Sequence, residues 1–334
     1  KYGLDAKYLL CNGPFHVSKW TEKTSVKLAK NNEYNGESSV SPSSVTFYIN
    51  NDDSEVADKM NSVTYDVAFL SSSQFSSIEN KKDLNSVAVQ NVTYSFIFNQ
   101  NDNNYRNKNM RLAFCRSCDT SSLFDSQSDI SKADGIVPPS CKIGGEDYRN
   151  GNAAELLSYD ETLAKKNFND ALLDLGSSSV ETTILCTEQY EPFVKQMVQK
   201  LQKTLGVKFV STVKVVSESD LEAAVNDGNY SVAFYPFKAK SSFAGEIIEG
   251  FDQNNIFGYE SDVLSQKIRN IKNNSGSLEG ERSAVADAEN YLVSEAVIMP
   301  VFYENSYFVT SKKTSGIYFY SSADNVCFIN AKKS

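Results

Sequence analysis

The sequence predicts a mixed α/β protein built as two lobes, and three observations carry that prediction. Between Thr182 and Phe237 strand and helix patterns alternate, strand–helix–strand–helix–strand, which is the order of an α/β lobe with a parallel sheet. The first hundred residues are instead dominated by strand patterns. After a long helical pattern at about Gly280–Glu295, strand character returns over Val297–Val309. A chain that runs β-rich, then α/β, then β again outlines two lobes crossed more than once.

Each element follows from local pattern. Phe15–Trp20 and Ser25–Ala29 alternate apolar and polar residues across a polar turn and read as a β-hairpin. Val45–Ile49 is a strand, followed by an Asn/Asp turn and a short helix at about Ser54–Met60. Tyr65–Leu70 gives a further strand. Val92–Phe98, branched and aromatic throughout, is the clearest strand of the first third. An Asn-rich segment, Asn99–Asn109, changes the character, and Met110–Arg116 starts a helix. Val137-Pro-Pro139 breaks regular structure. Leu163, Phe168, Ala171, Leu172 and Leu175 share a helical face that Gly176 closes. Thr182–Cys186 is a strand. Phe193, Met197, Leu201 and Leu205 recur every four residues on a helix ended by Gly206. Val207–Val216, Ser219–Ala224 and Ser231–Phe237 complete the alternation as strand, helix and strand.

Composition narrows the function. The 334 residues contain 42 Asp and Glu against 33 Lys and Arg, a net charge of −9. That balance argues against a nucleic-acid partner, which needs clustered cations. No apolar run approaches the roughly 18 residues of a membrane helix. Tyr and Phe are abundant, 18 and 20 copies against one Trp. Most belong in a core, and a surplus in a cleft suits stacking on an organic ligand.

Six cysteines leave three readings open. Cys115 and Cys118 form a C-x-x-C that falls within a helix, and Cys141 follows; Cys11, Cys186 and Cys327 are scattered. A disulfide from Cys141 to Cys115 or Cys118 and buried free thiols both fit the spacing, whereas zinc would need a fourth ligand that His16 is too far away to supply and a redox motif would want a strand-to-helix turn. The single histidine, His16, stands in a predicted strand beside Trp20, a structural setting, so His-based catalysis has no second candidate. The carboxylate pairs Glu146-Asp147 and Asp52-Asp53 lie in polar loops, where turn-forming or solvated roles are the default. No P-loop, G-x-G-x-x-G, G-x-S-x-G or H-E-x-x-H pattern occurs. No residue stands out as a catalyst, no cofactor or metal is implied, and a non-enzymatic role is expected.

Several segments, in one order, resemble a known family. Asn12-Gly-Pro-Phe-His-Val-Ser-Lys-Trp20 looks like an "NGPY-x-(L/V)-x-x-W" strand. Arg111-Leu-Ala-Phe-Cys-Arg-Ser-Cys-Asp119 is similar to an "R-x-A-x-x-x-A-I-D-R" helix, and Gly135-Ile-Val-Pro-Pro139 to the "G-x-x-P-P" loop that follows it. Tyr159-Asp160, Ala164-Lys165-Lys166 and Leu173–Gly176 resemble "YDP-x-x-AKKLL-x-x-AG". Leu205-Gly-Val-Lys-Phe209 matches "LGI-x-V", and Glu295–Tyr303 is close to "A-x-x-(I/V)-P-(L/V)-YY". Together they resemble the extracellular solute-binding proteins of family 5, the oligopeptide-, dipeptide- and nickel-binding proteins of ABC transporters.

The resemblance implies a two-lobed periplasmic-binding-protein type II fold, with the β-rich part of lobe I at 1–98, lobe II at 99–298 and a return into lobe I at 299–334. In the family the Asn-Gly-Pro-Phe strand lies well inside the chain, so lobe I is expected to be incomplete here, with a lipoprotein leader and a first segment preceding it. The implied function is substrate binding for an ABC importer: a peptide or other small polar organic molecule captured by hinge closure and delivered to a membrane permease. The protein is then extracellular, held at the cell surface as a lipoprotein, and monomeric. A sensor or adhesion protein that reuses the same clamshell is the alternative.

Oligopeptide binders hold the peptide α-amino group with an aspartate after a "G-W-x-x-D" strand end. The aligned stretch is Tyr235-Pro-Phe-Lys-Ala-Lys240, so Lys240 stands at the aspartate position. A lysine there either repels an ammonium and favours an anionic group, or simply points into solvent. Tyr235, Phe237 at the aligned tryptophan position, and Tyr94, Phe302 and Tyr303 beside the crossings are the candidate ligand-facing residues. For the aromatics, core packing is an equal alternative.

Overall fold

The computed structural model describes residues 5–36, 39–49, 53–120, 124, 128–252, 255–320 and 325–334. The chain divides into two compact units, one of Lys1–Val89 with Asn305–Ser334 and one of Gln90–Glu304.

The first unit opens with an antiparallel meander of β1 (Phe15–Thr21), β2 (Ser25–Lys30) and β3 (Ser44–Tyr48). β1 and β2 are the predicted hairpin, and His16 lies exposed on it. Then come α1 (Asp53–Asn61), β4 (Val67–Ser71), α2 (Ser72–Ser77) and β5 (Leu84–Val89). Ser71 starts α2 through a capping box with Gln74. Asp52, of the Asp52-Asp53 pair, lies outside the described residues.

The second unit begins with β6 (Val92–Phe98), the bounds its composition predicts. The Asn-rich stretch then supplies N-caps: Asp102 caps α3 (Asn103–Arg106) and Asn107 caps α4 (Lys108–Arg116). Short strands β7 (Ile130–Lys132), β8 (Lys142–Ile143) and β9 (Glu146–Asp147) precede α5 (Glu161–Leu175), which Gly176 closes at φ 61°. The predicted alternation follows as β10 (Val180–Cys186), α6 (Glu191–Leu205), β11 (Phe209–Val215), α7 (Glu218–Asn226) and β12 (Val232–Lys238). α8 (Gly245–Glu249), α9 (Asp262–Asn273), α10 (Leu278–Ser294) and β13 (Ile298–Glu304) complete the unit. β14 (Ser306–Ser311) then returns to the first unit, where it pairs antiparallel with both β4 and β5.

The sheet of the second unit runs β11-β10-β12-β6-β13-β7. β10 is parallel to β11 and β12, while β6, β13 and β7 join antiparallel. Both faces are covered. Phe96, Phe98, Ile184 and Phe234 meet α4, α5 and α6 on one face. Ile97, Leu185, Ala233 and Ile298 meet α7, α8, α9 and α10 on the other. Such double burial explains why β6 and β12 read as near-continuous apolar runs. Pro300 sits inside this sheet because β13 shifts register between Pro300 and Phe302, a bulge that accommodates its missing N–H.

β6 and β13 are sheet strands of the second unit, so the contact division falls at 89/90 and 304/305. The borders expected from the family resemblance are at 98/99 and 298/299, the first of them also marked by the composition change at Asn99. Pairing carries each strand wholly into one unit, which a change of composition along the chain does not register.

Sheet layering also corrects the cysteine expectation. All six cysteines are free. Cys115 and Cys118 pack in the cluster on one face of the sheet and Cys141 in the cluster on the other, so the sheet separates the expected partners. Cys115 lies in the last turn of α4, and Cys118 follows the cap at Ser117 rather than lying within the helix. Burial pushes the Cys115 and Cys141 thiols up to about 12 and Cys186 to about 11, and it raises Cys118 further. Cys115 and Cys118 border a cavity of about 230 Å³, yet they are only 2% and 4% exposed. In the native chain at pH 8, Ellman's reagent is therefore expected to titrate only Cys11 and Cys327 rapidly, and all six after unfolding. Rapid native titration of four or more thiols contradicts this packing.

Candidate functional site

The strands of the second unit share one edge where most of the candidate residues gather. Parallel α/β sheets bind ligands beyond the carboxyl ends of their strands. Lys238, the end of β12, pairs with Val92 at the start of β6, and Tyr303 near the end of β13 pairs with Thr93. The carboxyl ends of β10 and β12 therefore share an edge with the points where the chain crosses to the first unit. Four of the six candidate residues are on β12 or just beyond it, or on β6.

On the face of α4–α6 this edge is aromatic. Tyr94 is half-buried, its ring centroid 4.4 Å from Tyr190, 5.0 Å from Phe302 and 5.6 Å from Phe234. Phe302 itself is fully buried, packed against Phe193 and Phe234 at 5.2 and 5.5 Å. It holds Tyr94 in place and exposes no surface of its own. The Tyr190 hydroxyl donates to Glu304 Oε1 at 3.2 Å and accepts from Gln189 Nε2 at 3.3 Å. Burial raises both phenols, and Glu304 raises them further, so Tyr94 and Tyr190 stay protonated across the neutral range.

On the opposite face Tyr235 and Phe237 are half-buried, their centroids 5.6 Å apart. Phe237 stacks at 5.8 Å on both Phe251 and Phe257. Between these strands, Thr93 Oγ1 and Ser95 Oγ on β6 are buried without a hydrogen-bond partner. Tyr303 is buried; its hydroxyl accepts from the Asp134 N–H at 3.0 Å and lies 3.4 Å from the Gly135 and Val137 carbonyls. Lys240 is exposed. The Ala239 N–H donates to the Asn91 carbonyl at 3.0 Å, so Lys240 is the first residue past the backbone tether.

The structure thus brings Tyr94 and Phe302 together on one face and Tyr235 and Phe237 on the other. Phe302 and Tyr303 are turned inward, while Lys240 faces solvent. Sequence reasoning missed Tyr190 and Glu304. Tyr190 precedes Pro192 at the start of α6, a helix-entry signal at the carboxyl end of β10 that was there to be read. It also missed Glu289, which anchors the Gly135–Pro139 loop from α10. Among the described residues no group of His, Cys, Asp and Glu is arranged to hold a metal, and no helix is long and apolar enough to cross a membrane.

A sheet covered on both faces, entered and left by crossings on one edge, agrees with the two-lobed α/β fold expected from the sequence. Residues 1–257 match the model of the bacterial extracellular solute-binding proteins, family 5 (middle), and the chain belongs to that family. It is 22% identical over 325 residues to the dipeptide-binding protein DppE of Bacillus subtilis (strain 168), covering 95% of this chain and 59% of that one. Its fold is that of the substrate-binding domain of an oligopeptide ABC transporter from Bacillus anthracis, with a TM-score of 0.78 and 16% identity over all of this chain and 67% of the other. The peptide-bound OppA of Listeria monocytogenes has the same fold, with a TM-score of 0.77 and 20% identity over all of this chain and 66% of that one. The chain therefore spans about three fifths of the length of the curated relative.

Proposed function

We propose that the whole protein is the substrate-binding component of an ABC importer, taking up a peptide or other small polar organic ligand and passing it to a membrane permease. The observation that carries the reading is the family match over residues 1–257, with a likeness of fold that runs through the entire chain. The relatives are binding proteins, which supports a carrier and not an enzyme. An extracellular location follows the family. Attachment as a lipoprotein, a monomeric state and the absence of a nucleic-acid partner are part of the proposal, the last supported by the net charge of −9.

Within that reading Tyr94, Tyr235, Phe237 and Lys240 contact the ligand, and Phe302 and Tyr303 hold Tyr94 and the Gly135–Val137 loop. The test is a thermal-shift screen of the full-length protein against short peptides, N-blocked peptides, oligosaccharides and metal ions. A ligand at 100 times its dissociation constant adds about 2.7 kcal/mol of stability, a readily seen shift. Stabilisation by peptides supports the proposal, and silence across all peptide pools overturns it. Lys240→Asp is expected to change the ligand profile without changing the melting temperature of the unliganded protein, because the side chain is exposed. An unchanged profile removes Lys240 from the site.

A further inference from the structure

We propose that the cavity of about 230 Å³ beside Cys115 and Cys118 is a second ligand site, and that it takes a short extended peptide with an apolar side chain and a free C-terminal carboxylate. None of Tyr94, Tyr235, Phe237 and Lys240 lines it, so the inference stands apart from the importer reading.

The cavity opens where the sheet of the second unit runs out. β7 pairs with β13 only through Phe302–Glu304, and the Ala133 N–H adds one bond to the Val301 carbonyl at 3.1 Å. From Ile298 to Pro300 the outer edge of β13 therefore has no strand partner among the described residues, and those three residues line the cavity. The segment Leu156–Tyr159, between β9 and α5, lines it too. Its course is irregular, and among the described residues the backbone of Leu157–Tyr159 makes no backbone hydrogen bond. Two stretches of chain with unpaired backbone thus border one space. Another extended backbone completes such an edge, which is how a peptide adds to a sheet. Pro300 offers no N–H, so the added strand is short.

The rest of the lining sets the chemistry. Cys115, Cys118, Met299 and Val301 supply apolar and polarizable surface, suited to an aliphatic or aromatic side chain. Lys132, the last residue of β7, is the cation of the lining; it is exposed and forms no ion pair among the described residues. Asp119, the acidic residue of the lining, is engaged with other groups of the protein. A carboxylate is therefore the charged group that gains a partner here, through a charge-assisted hydrogen bond to the Lys132 ammonium. The volume exceeds the roughly 150 Å³ that holds one benzene ring and falls short of the roughly 300–1,000 Å³ of drug-sized pockets. A dipeptide is the size that fits.

The experiment is methyl NMR of the full-length protein labelled at methionine, with Leu-Leu and Leu-Leu-amide as probes and Met299→Leu to assign the Met299 signal. The Met299 methyl is expected to shift in a saturable way with Leu-Leu, and amidation to weaken the apparent affinity on the order of ten-fold. Lys132→Glu changes an exposed position, so the fold is kept; it should weaken Leu-Leu by a similar factor and remove the difference between the probes. A Met299 methyl that stays in place with millimolar Leu-Leu overturns the inference, whether or not the peptide stabilises the protein against heat. So does a titration that amidation or Lys132→Glu leaves unchanged. A response to isobutanol as strong as that to Leu-Leu reduces the cavity to an apolar void and overturns it as well.

Discussion

Glu289→Ala is expected to lower the unfolding free energy by about 3–5 kcal/mol, the cost of stranding a buried charge. Glu289, on α10, is 1% exposed. Its Oε1 accepts from the Ile136 and Val137 N–H groups at 2.7 and 2.9 Å, and its Oε2 from the Tyr148 hydroxyl at 3.1 Å. Arg149 closes the arrangement with donations from both terminal nitrogens, Nη1 to Oε2 at 2.9 Å and Nη2 to Oε1. Arg149 also donates to the Val137 carbonyl at 2.7 Å and the Asn152 carbonyl at 3.2 Å. One carboxylate therefore satisfies two backbone donors of the loop, a phenol and a guanidinium. Burial alone lowers the Arg149 pKa, but Glu289, with smaller help from Tyr303 and Tyr148, more than offsets it, and the net direction is upward. Without Glu289 the guanidinium has no such counter-charge and still cannot shed its proton near neutral pH.

The measurement is urea unfolding of both variants at constant slope, so that a midpoint change reports stability. Glu289→Leu combined with Arg149→Met should recover much of the loss, since both charges leave together. A single-variant loss below about 1 kcal/mol would falsify the assignment of Glu289 as the lock of the Gly135–Pro139 loop.

That lock also explains what could be read beforehand and what could not. Val137-Pro-Pro139 was legible as a break because proline lacks a donor and restricts its neighbour. Glu289 was not, because its partners are about 140–153 residues away in sequence and nothing local marks it among the acidic residues of α10. Periodicity located α5, α6 and their glycine ends because those signals lie within one element. The helix α9 went unread although Leu264, Ile268 and Ile271 repeat on one face behind the Ser261 cap; the pattern was present and strong. Burial was the limiting factor for the candidate site. Tyr94, Phe302 and Tyr303 are alike in composition, and only the strand pleat and the bulge after Pro300 decide which ring faces outward. The C-x-x-C was visible, but the sheet between it and Cys141 was not.

Arg111→Met is expected to cost about 3 kcal/mol or more, because four backbone carbonyls depend on one buried guanidinium. Nη1 donates to the carbonyls of Tyr105 at 2.7 Å and Arg106 at 3.0 Å, at the end of α3. Nε and Nη2 donate to Ala296 and Glu295 at 3.0 Å each, at the end of α10. Carbonyls at helix ends lack intrahelical partners and carry partial negative charge, so a cation there is doubly favoured. Ala296 needs this support more than most residues, since its φ of +48° is costly for a side chain with a Cβ. Methionine keeps much of the volume and supplies no donor. Lysine restores the charge, but its ammonium offers three donors from one point and cannot span both helix ends, so Arg111→Lys should recover only part of the loss. Hydrogen exchange at the Ala296 and Val297 amides, bonded to the Val293 and Leu292 carbonyls, reads the effect locally. Faster exchange there, ahead of the α5 amides, is the expected result. β13 starts at Ile298, two residues past this junction, and carries Glu304 to the sheet edge. If the amides stay protected while stability falls, Arg111 acts through packing alone, and the placement of Glu304 does not depend on it.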